Sequence, residues 1–453
     1  MKTILILGGG ISGLAALHFL KKKYANQPDV KIILLEKNDY AGGTIRSLGQ
    51  SGCLFETGPN GFLNTQPRTF EFIEDLNLTD QVIEAKKEAN IRYISVQKKL
   101  YRIPANPKAF LNFPLLNLKE KFRVLFEILA PKKDCPDETV FDFGCRRLGR
   151  RFTELFLDPV VSGIYGGDIQ KISLKLAFPK LYQMEQRCGS LTKALFGSKR
   201  SPFPKAQAKI SKGKLYSFKK GMGELIDRLA TKYTDEIRLK EEAISIRPFN
   251  HQYEIISSID KYLADELFVC TPAYVSSNLL KDLDLSLTKA LEKINYAPIA
   301  VAGLLFRRNQ FPDFPPGFGY LIPSKEGRDI LGVLFDSQIF NDRSPDDNIF
   351  VRVMLAGSLH PEILKMPAND IFKKAIEEIR QQLELKGDPQ EVFLSLWPKA
   401  IPQYDADYAG ILPILEEKLT HFSHIHIVSN FLKGVSMNDC VENAYQAAQK
   451  LPF

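Results

Sequence analysis

The chain begins with Lys2-Thr-Ile-Leu-Ile-Leu-Gly-Gly-Gly-Ile-Ser-Gly13, and this stretch decides the fold. Its apolar run at residues 4–7 is typical of a short buried parallel strand, and leucines at a helical spacing follow the last glycine. A strand, a glycine turn and a helix in this order place a pyrophosphate at a helix N-terminus. A second predicted strand, 31–35, ends in Glu36, where a carboxylate would bind a ribose hydroxyl. The stretch therefore predicts a dinucleotide-binding domain.

Three glycines of this turn have separate tasks. Gly8 permits the tight turn, Gly10 lets the backbone approach the phosphates, and Gly13 lets the helix pack closely on the strand. A glycine pattern alone is common in ordinary α/β domains. The second strand and its terminal acid favour nucleotide binding over a plain glycine-rich turn.

Length and charge narrow the class of protein. The 453 residues predict two or three domains, and 44% hydrophobic with 25% charged residues is typical of a folded protein. The formal net charge is +8, spread along the chain and not gathered in a tail. This distribution argues against a nucleic-acid partner and favours an acidic ligand or an anionic membrane surface.

The cysteines, the histidines and the hydropathy indicate a location. The six cysteines form neither a CxxC pair nor a metal-ligand spacing, which is typical of a reducing compartment. His421, His424 and His426 adjoin an apolar strand without a supporting carboxylate pattern, so we predict no metal site. The N-terminal apolar run carries the turn glycines, so we do not expect a cleaved signal peptide. Since no other apolar run reaches about 18 residues, we expect a cytoplasmic protein, soluble or peripheral on the inner face of a membrane.

A second glycine pair points to a flavin. Gly42-Gly43 follows Glu36 closely, as in flavin enzymes of the amine-oxidase group, where the backbone passes beneath an extended FAD. Arg46 is then available to the phosphates or the flavin edge. The same group places the turn at residues 58–61 near the isoalloxazine, although a plain surface turn explains it equally well.

Local patterns predict the remaining elements. We expect a helix over 66–77 capped near Thr65, mainly helices over 140–230 with loops at 198–214, and a helix over 441–449. The N-terminus of that last helix would stabilise negative charge on the flavin pyrimidine. A β-hairpin is predicted from 237–246 and 253–257, and further strands are predicted at 91–96, 265–272, 300–306, 319–323, 330–334, 349–355 and 426–429.

Between residues 104 and 133, apolar and basic residues lie side by side. Such a stretch is typical of a segment on a membrane surface or of the wall of an apolar tunnel. The core of an ordinary helical subdomain explains it equally well.

Several segments resemble the protoporphyrinogen oxidases, FAD-dependent enzymes of haem biosynthesis. They are Asp158-Pro-Val-Val-Ser-Gly-Ile-Tyr-Gly-Gly-Asp168, Gly317-Phe-Gly-Tyr-Leu-Ile-Pro323, Leu331-Gly-Val-Leu-Phe-Asp-Ser337 and Trp397-Pro-Lys-Ala-Ile-Pro-Gln-Tyr404. The resemblance runs from the first strand to the last helix. It implies an α/β fold with a Rossmann-like FAD-binding domain of the amine-oxidase type, a β-rich substrate domain and a helical subdomain open to membrane contact. The implied boundaries are 1–80, 205–285 and 410–453 for the FAD-binding domain, 81–98 and 286–409 for the substrate domain, and 99–204 for the helical subdomain.

The resemblance also implies the site residues. In the substrate cleft, Arg92 would bind a propionate, and Phe318, Leu321 and Met354 would cover the faces of the macrocycle. The backbone carbonyl of Gly163 would face its reacting centre, the one catalytic position implied. The implied cofactor-binding residues are Gly8, Gly10, Gly13, Glu36, Gly42, Gly43, Arg46, Gly58, Asn60, Ala243, Trp397, Gly434 and Val435.

Two positions depart from the family's pattern. Asp407-Tyr408 stands where the family has Gly-His, which leaves no role for that histidine. Ala243 replaces a valine on the adenine side, a change that packing can absorb.

The implied reaction is the six-electron oxidation of protoporphyrinogen IX to protoporphyrin IX, with FAD as hydride acceptor. Coproporphyrinogen III oxidation by the same chemistry is the alternative substrate, and Asn60 with Arg92 favours protoporphyrinogen. A non-catalytic flavin-fold escort or porphyrin carrier is the alternative of another class, and the intact glycine turn argues against it. The partners are the porphyrinogen and an electron acceptor, oxygen or a quinone. The sequence leaves open peripheral membrane contact and a homodimer.

Overall fold

A computed structural model describes residues 2–133, 135, 137–196 and 213–452 of the chain. The strands of the described residues, in chain order, are β1 Lys2–Leu7, β2 Val30–Leu35, β3 Ser47–Gln50, β4 Cys53–Glu56, β5 Phe62–Leu63, β6 Val82–Glu84, β7 Arg92–Val96, β8 Lys99–Arg102, β9 Leu215–Phe218, β10 Ile237–Arg238, β11 Ala243–Phe249, β12 Gln252–Ser257, β13 Lys261–Ala264, β14 Glu266–Val269, β15 Tyr296–Arg307, β16 Gly319–Leu321, β17 Ile330–Leu334, β18 Asn348–Ala356, β19 Glu391–Pro402 and β20 Ile425–Ile427.

The α-helices of the described residues are α1 Ile11–Lys23, α2 Pro67–Asp75, α3 Pro107–Leu111, α4 Leu118–Leu125, α5 Val140–Arg147, α6 Arg150–Phe152, α7 Asp158–Tyr165, α8 Leu174–Ala177, α9 Pro179–Cys188, α10 Leu191–Phe196, α11 Gly223–Lys232, α12 Ala273–Leu280, α13 Leu285–Glu292, α14 Asp336–Ile339, α15 Ala368–Leu383, α16 Tyr408–Leu419 and α17 Met437–Lys450. Within the described residues, no helix is both long and apolar enough to cross a membrane.

A five-stranded parallel sheet, in the order β10-β2-β1-β14-β20, draws its strands from the first, middle and last thirds of the chain. Alternate residues of β1 enter two cores: Ile4 and Ile6 pack with α1, α11 and α17 on one face. Leu5 and Leu7 pack with α12, α13 and α16 on the other. Helices or strands therefore cover both faces, as a parallel sheet requires.

A seven-stranded sheet, in the order β19-β15-β18-β17-β16-β7-β8, forms a second layer. All of its pairs are antiparallel except β16 with β7. Its back face packs against α15, where Ile371, Ala375 and Ile379 are fully buried. Its front face is partly covered, by Phe55 over β15 and by Phe113 over β7.

Residues 150–165 form one nearly continuous helical segment with a change of pitch. A π-helical turn, Thr153–Leu157, separates α6 from α7. Pro159 lies in the first turn of α7 and has no N–H to continue the regular ladder of hydrogen bonds. Single π-turns of this kind are frequent at functional sites.

Buried ion pairs hold the segment from residue 127 to residue 192 together. Arg147 is fully buried and donates to Glu127 at 2.7 Å and to Glu185 at 2.6 Å. Arg146 extends the cluster to Glu138 at 2.7 Å. Hydrogen bonds from Ser190 and from the residue 191 and 192 amides hold the pKa of Glu127 at about 2, far below its usual value, despite its burial.

The predicted α/β class and most predicted elements are confirmed. A strand overlaps each of the seven separately predicted strand ranges, and the hairpin over β11 and β12 forms. The domain boundaries given above stay a prediction. The predicted loop at 198–214 lies almost entirely outside the described residues.

Four local predictions were wrong. Residues 215–218 form β9 between β5 and β6, although helices were expected there. The predicted strand 237–246 is divided, because β10 joins the five-stranded sheet and β11 the hairpin. Gln66, not Thr65, precedes α2, and its side chain makes no capping bond. The last helix begins four residues early, because Ser436 and Asp439 form a capping box.

The ion cluster yields a test of stability. Replacing Arg147 by Met leaves two buried carboxylates without their shared cation, which costs about 3–5 kcal/mol. We expect a clearly lower midpoint of thermal unfolding and faster proteolysis between residues 127 and 192. Arg150→Ala is the control, since Arg150 is largely exposed and its ion pair among the described residues, with Glu154, lies outside the buried cluster. Equal midpoints for the two variants would contradict the structural role of the cluster.

Candidate cofactor and substrate site

The glycine turn after β1 has the geometry that its sequence predicts. Gly8 adopts φ +102°, and its N–H donates to the Leu35 carbonyl at 2.8 Å. A Cβ on Gly13 would lie 1.9 Å from the Gly8 carbonyl oxygen, so only glycine fits. A Cβ on Gly10 would meet no protein atom within 4 Å. The Gly10 backbone therefore faces open space at the start of α1.

Glu36 lies beside this turn and is itself held in place. The carboxylate is buried and accepts hydrogen bonds from the Gly9 amide at 2.7 Å and from the Asn38 amide at 2.9 Å. These bonds orient the acid at the end of β2, where a ribose would lie.

The second glycine pair is joined directly to the first turn. The Gly42 N–H donates to the Gly9 carbonyl at 2.7 Å, and Gly42 and Gly43 both have positive φ, +110° and +61°. A side chain on Gly42 would strike Ile226 and the Ile45 carbonyl. The Arg46 guanidinium lies 3.9 Å from the centre of the Tyr40 ring.

A cavity of about 400 Å³ connects these elements. The predicted residues that line it are Gly8, Gly10, Glu36, Gly42, Gly43, Ala243 and Trp397. Cys270 and Cys440 also line it; burial raises the pKa of both thiols, that of Cys440 to about 11. Neither thiol is therefore a ready nucleophile toward a bound group.

The turn at residues 57–60 lies at the border between the two large sheets. The Trp397 indole N–H donates to the Thr57 carbonyl at 2.8 Å. A Cβ on Gly58 would lie 2.4 Å from the Thr44 carbonyl oxygen. The side-chain nitrogen of Asn60 is buried and has no hydrogen-bond partner within the described part of the chain. Such an orphaned donor indicates a missing acceptor.

The last helix begins with an ordered cap. Gly434 adopts φ +75°, and a Cβ there would collide with the Asp439 carboxylate. The Ser436 hydroxyl accepts from the Asp439 backbone N–H. At this helix end, the backbone N–H groups of Met437 and Asn438 are therefore the ones that the cap does not bind. Val435 is half-buried against the core that includes Leu5 and Leu7.

The front face of the seven-stranded sheet carries two rows of paired residues. One row runs Arg92, Gly319, Leu334, Arg352 across β7, β16, β17 and β18. The next row runs Ile94, Leu321, Gly332, Met354 across the same strands. Directly paired residues point to the same face, so the two rows form one surface, which we call the cleft floor.

The cleft floor brings together the predicted substrate residues. Leu321 and Met354 lie on either side of Gly332, where a Cβ would come within 2.9 Å of Leu321. Phe318 precedes β16, and its ring lies 4.9 Å from the Arg92 guanidinium. The sequence reasoning missed Leu334 and Arg352, because their place depends on strand register and not on a local motif.

Arg92 is a cation without an acidic partner. It is exposed at the edge of the cleft floor, and no carboxylate of the described residues pairs with it. The surrounding protein lowers its pKa, because desolvation disfavours the charged form. An anionic ligand would give Arg92 the acidic partner that it lacks. Its negative charge would also favour the charged form of the guanidinium and so raise the pKa again.

Helix α7 forms the wall above the cleft floor. A Cβ on Gly163 would lie 3.0 Å from the Leu321 side chain, so a larger residue would narrow the cleft. Asp158 accepts from the Ser324 amide at 2.7 Å, and the Gly166 carbonyl accepts from the Ser358 amide at 2.7 Å. Both ends of α7 are thus attached to the seven-stranded sheet.

Tyr408, which stands in place of the family's histidine, has a packing role. Its ring stacks on Tyr404 with centroids 5.5 Å apart and an angle of 7° between the planes. Its hydroxyl donates to the Phe431 carbonyl. Of the three C-terminal histidines, His424 and His426 lie against Glu266 beside β1.

Comparisons with known proteins agree with this geometry. A family model for flavin containing amine oxidoreductases matches residues 11–452. Human protoporphyrinogen oxidase is 31% identical over 99% of this chain and 98% of its own length. Protoporphyrinogen oxidase 1 from Arabidopsis chloroplasts is 28% identical over 98% of this chain and 86% of its own length.

A likeness to solved structures confirms the amine-oxidase fold. A provisionally named protoporphyrinogen oxidase from Exiguobacterium superposes with a TM-score of 0.83 at 23% identity, covering 99% of this chain and 98% of that one. Wild-type putrescine oxidase superposes with a TM-score of 0.70 at 13% identity, covering 99% and 98%.

The residues present fit FAD. The Gly10 backbone leaves space for a pyrophosphate, Glu36 lies where the ribose would be, and Asn60 offers an unused buried donor. These features are separate in the sequence and lie around one cavity or at its border.

Gly10 provides a test of the cofactor site. Gly10→Ala adds a methyl group where no protein atom is in the way, so the variant should fold normally. The methyl group would occupy the space of the pyrophosphate, and we expect FAD affinity, measured by flavin fluorescence quenching, to fall by at least about tenfold. Gly49→Ala, which also meets no atom within 4 Å but lies on β3, is the control. Unchanged FAD affinity in Gly10→Ala would contradict a pyrophosphate site at Gly10.

Proposed function

The chain belongs to the flavin containing amine oxidoreductases and, among them, to the protoporphyrinogen oxidase family; from this premise we propose that it oxidises protoporphyrinogen IX to protoporphyrin IX. The observation that carries the proposal is Arg92, a cation that no carboxylate of the described residues pairs with, at the edge of a cleft floor whose other cation, Arg352, is neutralised by Asp336. The far end of that floor meets the turn that holds Asn60. A large apolar ring with a carboxylate on one edge matches this surface.

The chain holds the cofactor through backbone and acid groups. The backbone at Gly8 and Gly10 would hold the pyrophosphate, with Gly13 allowing the helix to approach the strand and Gly42 and Gly43 lying beside the same cavity. Glu36 would accept from the ribose, and Asn60 would donate to the flavin. When bound, FAD supplies the hydride acceptor for three successive two-electron oxidations.

The cleft orients the porphyrinogen. Arg92 binds a propionate by charge-assisted hydrogen bonds, which fixes one edge of the macrocycle. Leu321 and Met354 support its face over the groove at Gly332, and the Gly163 carbonyl faces its centre. Three strand spacings separate Arg92 from Arg352, about 14 Å, so the macrocycle spans the floor between its polar edge and the flavin.

The distribution of charge favours protoporphyrinogen over coproporphyrinogen. Arg352 is the other cation in the two rows, and it is fully buried and paired with Asp336. Of the described residues in these rows, Arg92 is therefore the cation without a carboxylate partner, which suits a substrate whose carboxylates share one edge. Coproporphyrinogen carries four propionates, and those far from Arg92 would lie on apolar surface without a partner.

Purified protein provides the direct test of the activity. It should show flavin absorbance and should generate porphyrin fluorescence from protoporphyrinogen, with slower turnover of coproporphyrinogen. Protein that cannot be reconstituted with FAD would support the escort or carrier function, which the intact glycine turn argues against.

The proposed membrane contact is made by the helical segment at residues 118–132. Leu118, Phe122 and Leu129 are 70%, 54% and 76% exposed, and Lys119 and Lys132 lie exposed beside them. Apolar side chains flanked by lysines suit an anionic lipid surface. The enzyme would then be cytoplasmic and peripheral on the inner face of the membrane, where a quinone, as well as oxygen, can reoxidise the flavin.

Arg92→Ala tests the propionate contact. Losing a charge-assisted bond, about 1.5–3 kcal/mol, should raise KM for protoporphyrinogen by roughly 10- to 100-fold with a smaller change in kcat. Arg102→Ala is the control, because Arg102 pairs with Tyr93 and so points to the opposite face of the sheet. An unchanged KM in Arg92→Ala would remove Arg92 from the substrate site.

Phe122→Glu combined with Leu129→Glu tests membrane contact. The unaltered protein should float with vesicles that contain anionic lipid and much less with neutral vesicles. We expect the double variant to lose most of this binding and to keep its activity in detergent. Leu285→Glu, at an equally exposed leucine on α13, should float normally. Equal flotation of all three proteins would exclude this surface.

A further inference from the structure

The turn at residues 57–60 and the residue before it are held by the seven-stranded sheet. Three consecutive backbone carbonyls, those of residues 56–58, accept hydrogen bonds from side chains of that sheet. The Arg352 guanidinium donates to the Glu56 carbonyl at 2.8 Å and to the Gly58 carbonyl at 3.1 Å. The Trp397 indole donates to the Thr57 carbonyl between them. Two strands, β18 and β19, thus hold this turn from one side.

Arg352 can make these contacts because its charge is balanced. It is fully buried, and its remaining donors bind the Asp336 carboxylate. The Glu56 side chain is fixed separately, by the Met222 amide at 2.8 Å and the Ser47 hydroxyl at 2.7 Å. Moving the turn relative to the sheet would leave buried polar groups unpaired, which is costly.

The same strand carries the floor of the substrate cleft. Met354 lies two residues after Arg352 on β18 and therefore on the same face. Arg352 also ends the row that begins with Arg92. One rigid element therefore fixes both the substrate surface and the turn that carries Asn60.

We propose that Arg352 is a positioning residue that sets the separation between the flavin and the cleft floor, with Trp397 as its second donor. This inference rests on the proposed FAD and porphyrinogen sites. Hydride transfer depends steeply on the distance and alignment of the two reacting atoms. Loosening the turn should therefore slow flavin reduction and weaken FAD binding while leaving the propionate contact at Arg92 intact.

Arg352→Lys tests this role, because Lys keeps the charge beside Asp336 but lacks the second donor arm. Arg343→Lys is the matched control. Arg343 is also buried and also donates to backbone carbonyls, those of Phe218 and Lys219, and its side-chain hydrogen bonds within the described chain do not reach the turn at residues 57–60. FAD affinity of the apoprotein, its thermal midpoint, and the rate of flavin reduction in anaerobic single turnovers with protoporphyrinogen are measured for each.

We expect Arg352→Lys to weaken FAD binding about tenfold and to slow flavin reduction by 10- to 100-fold, with KM within about twofold. Arg343→Lys should change neither FAD affinity nor reduction rate. Trp397→Phe keeps an aromatic ring and removes the bond to Thr57 together with part of the indole that lines the cavity, so its rate of flavin reduction, compared at saturating FAD, decides the question if Arg352→Lys does not fold. FAD affinity and reduction rates that match those of Arg343→Lys in both variants would overturn the inference. If the wild-type protein does not oxidise protoporphyrinogen, the proposed function fails while the FAD-affinity comparison still tests the turn.

Discussion

The approach of α1 to β1 is the constraint on which the site depends. The space between Gly13 and the Gly8 carbonyl is too small for one added carbon, so the helix begins against the strand. Its first residues, from Gly10 to Ser12, therefore line the cavity. The bond from Gly42 to the Gly9 carbonyl then attaches the second glycine pair to the same point. Every other cofactor contact is positioned relative to this junction.

The two large sheets perform separate tasks and meet at one turn. The five-stranded sheet carries the glycine turns, whose backbone lines the cavity predicted to hold the cofactor. The seven-stranded sheet presents side chains in rows, with glycine at 319 and 332 keeping the floor low. The turn at residues 57–60 belongs to the first part of the chain but is bonded to the second sheet. The candidate site therefore lies where the two sheets meet.

The sequence carries more local signal for the cofactor side of the candidate site than for the substrate side, for a physical reason. Phosphate turns are local, so Gly8 to Glu36 can be recognised within some thirty residues. The cleft floor depends on register between strands distant in the chain, such as Arg92 beside Gly319. Resemblance to a family supplied Arg92, Leu321 and Met354, whereas Leu334 and Arg352 emerged only from the pairing. Likewise β9 was missed, because its partners β5 and β6 are too short to show a pattern of their own.

Electrostatic balance distinguishes structural arginines from one that is available to a ligand. Arg147 and Arg352 are fully buried, and each is matched by carboxylates and carbonyls that use its donors. Burial without such partners is too costly to persist, so these charges are satisfied by the fold itself. Arg92 follows the opposite rule: it is exposed, stacked on Phe318 and unpaired by any carboxylate of the described chain. A cation at the rim of an apolar surface suits the carboxylate of a largely apolar molecule, which is the chemistry of the proposed substrate.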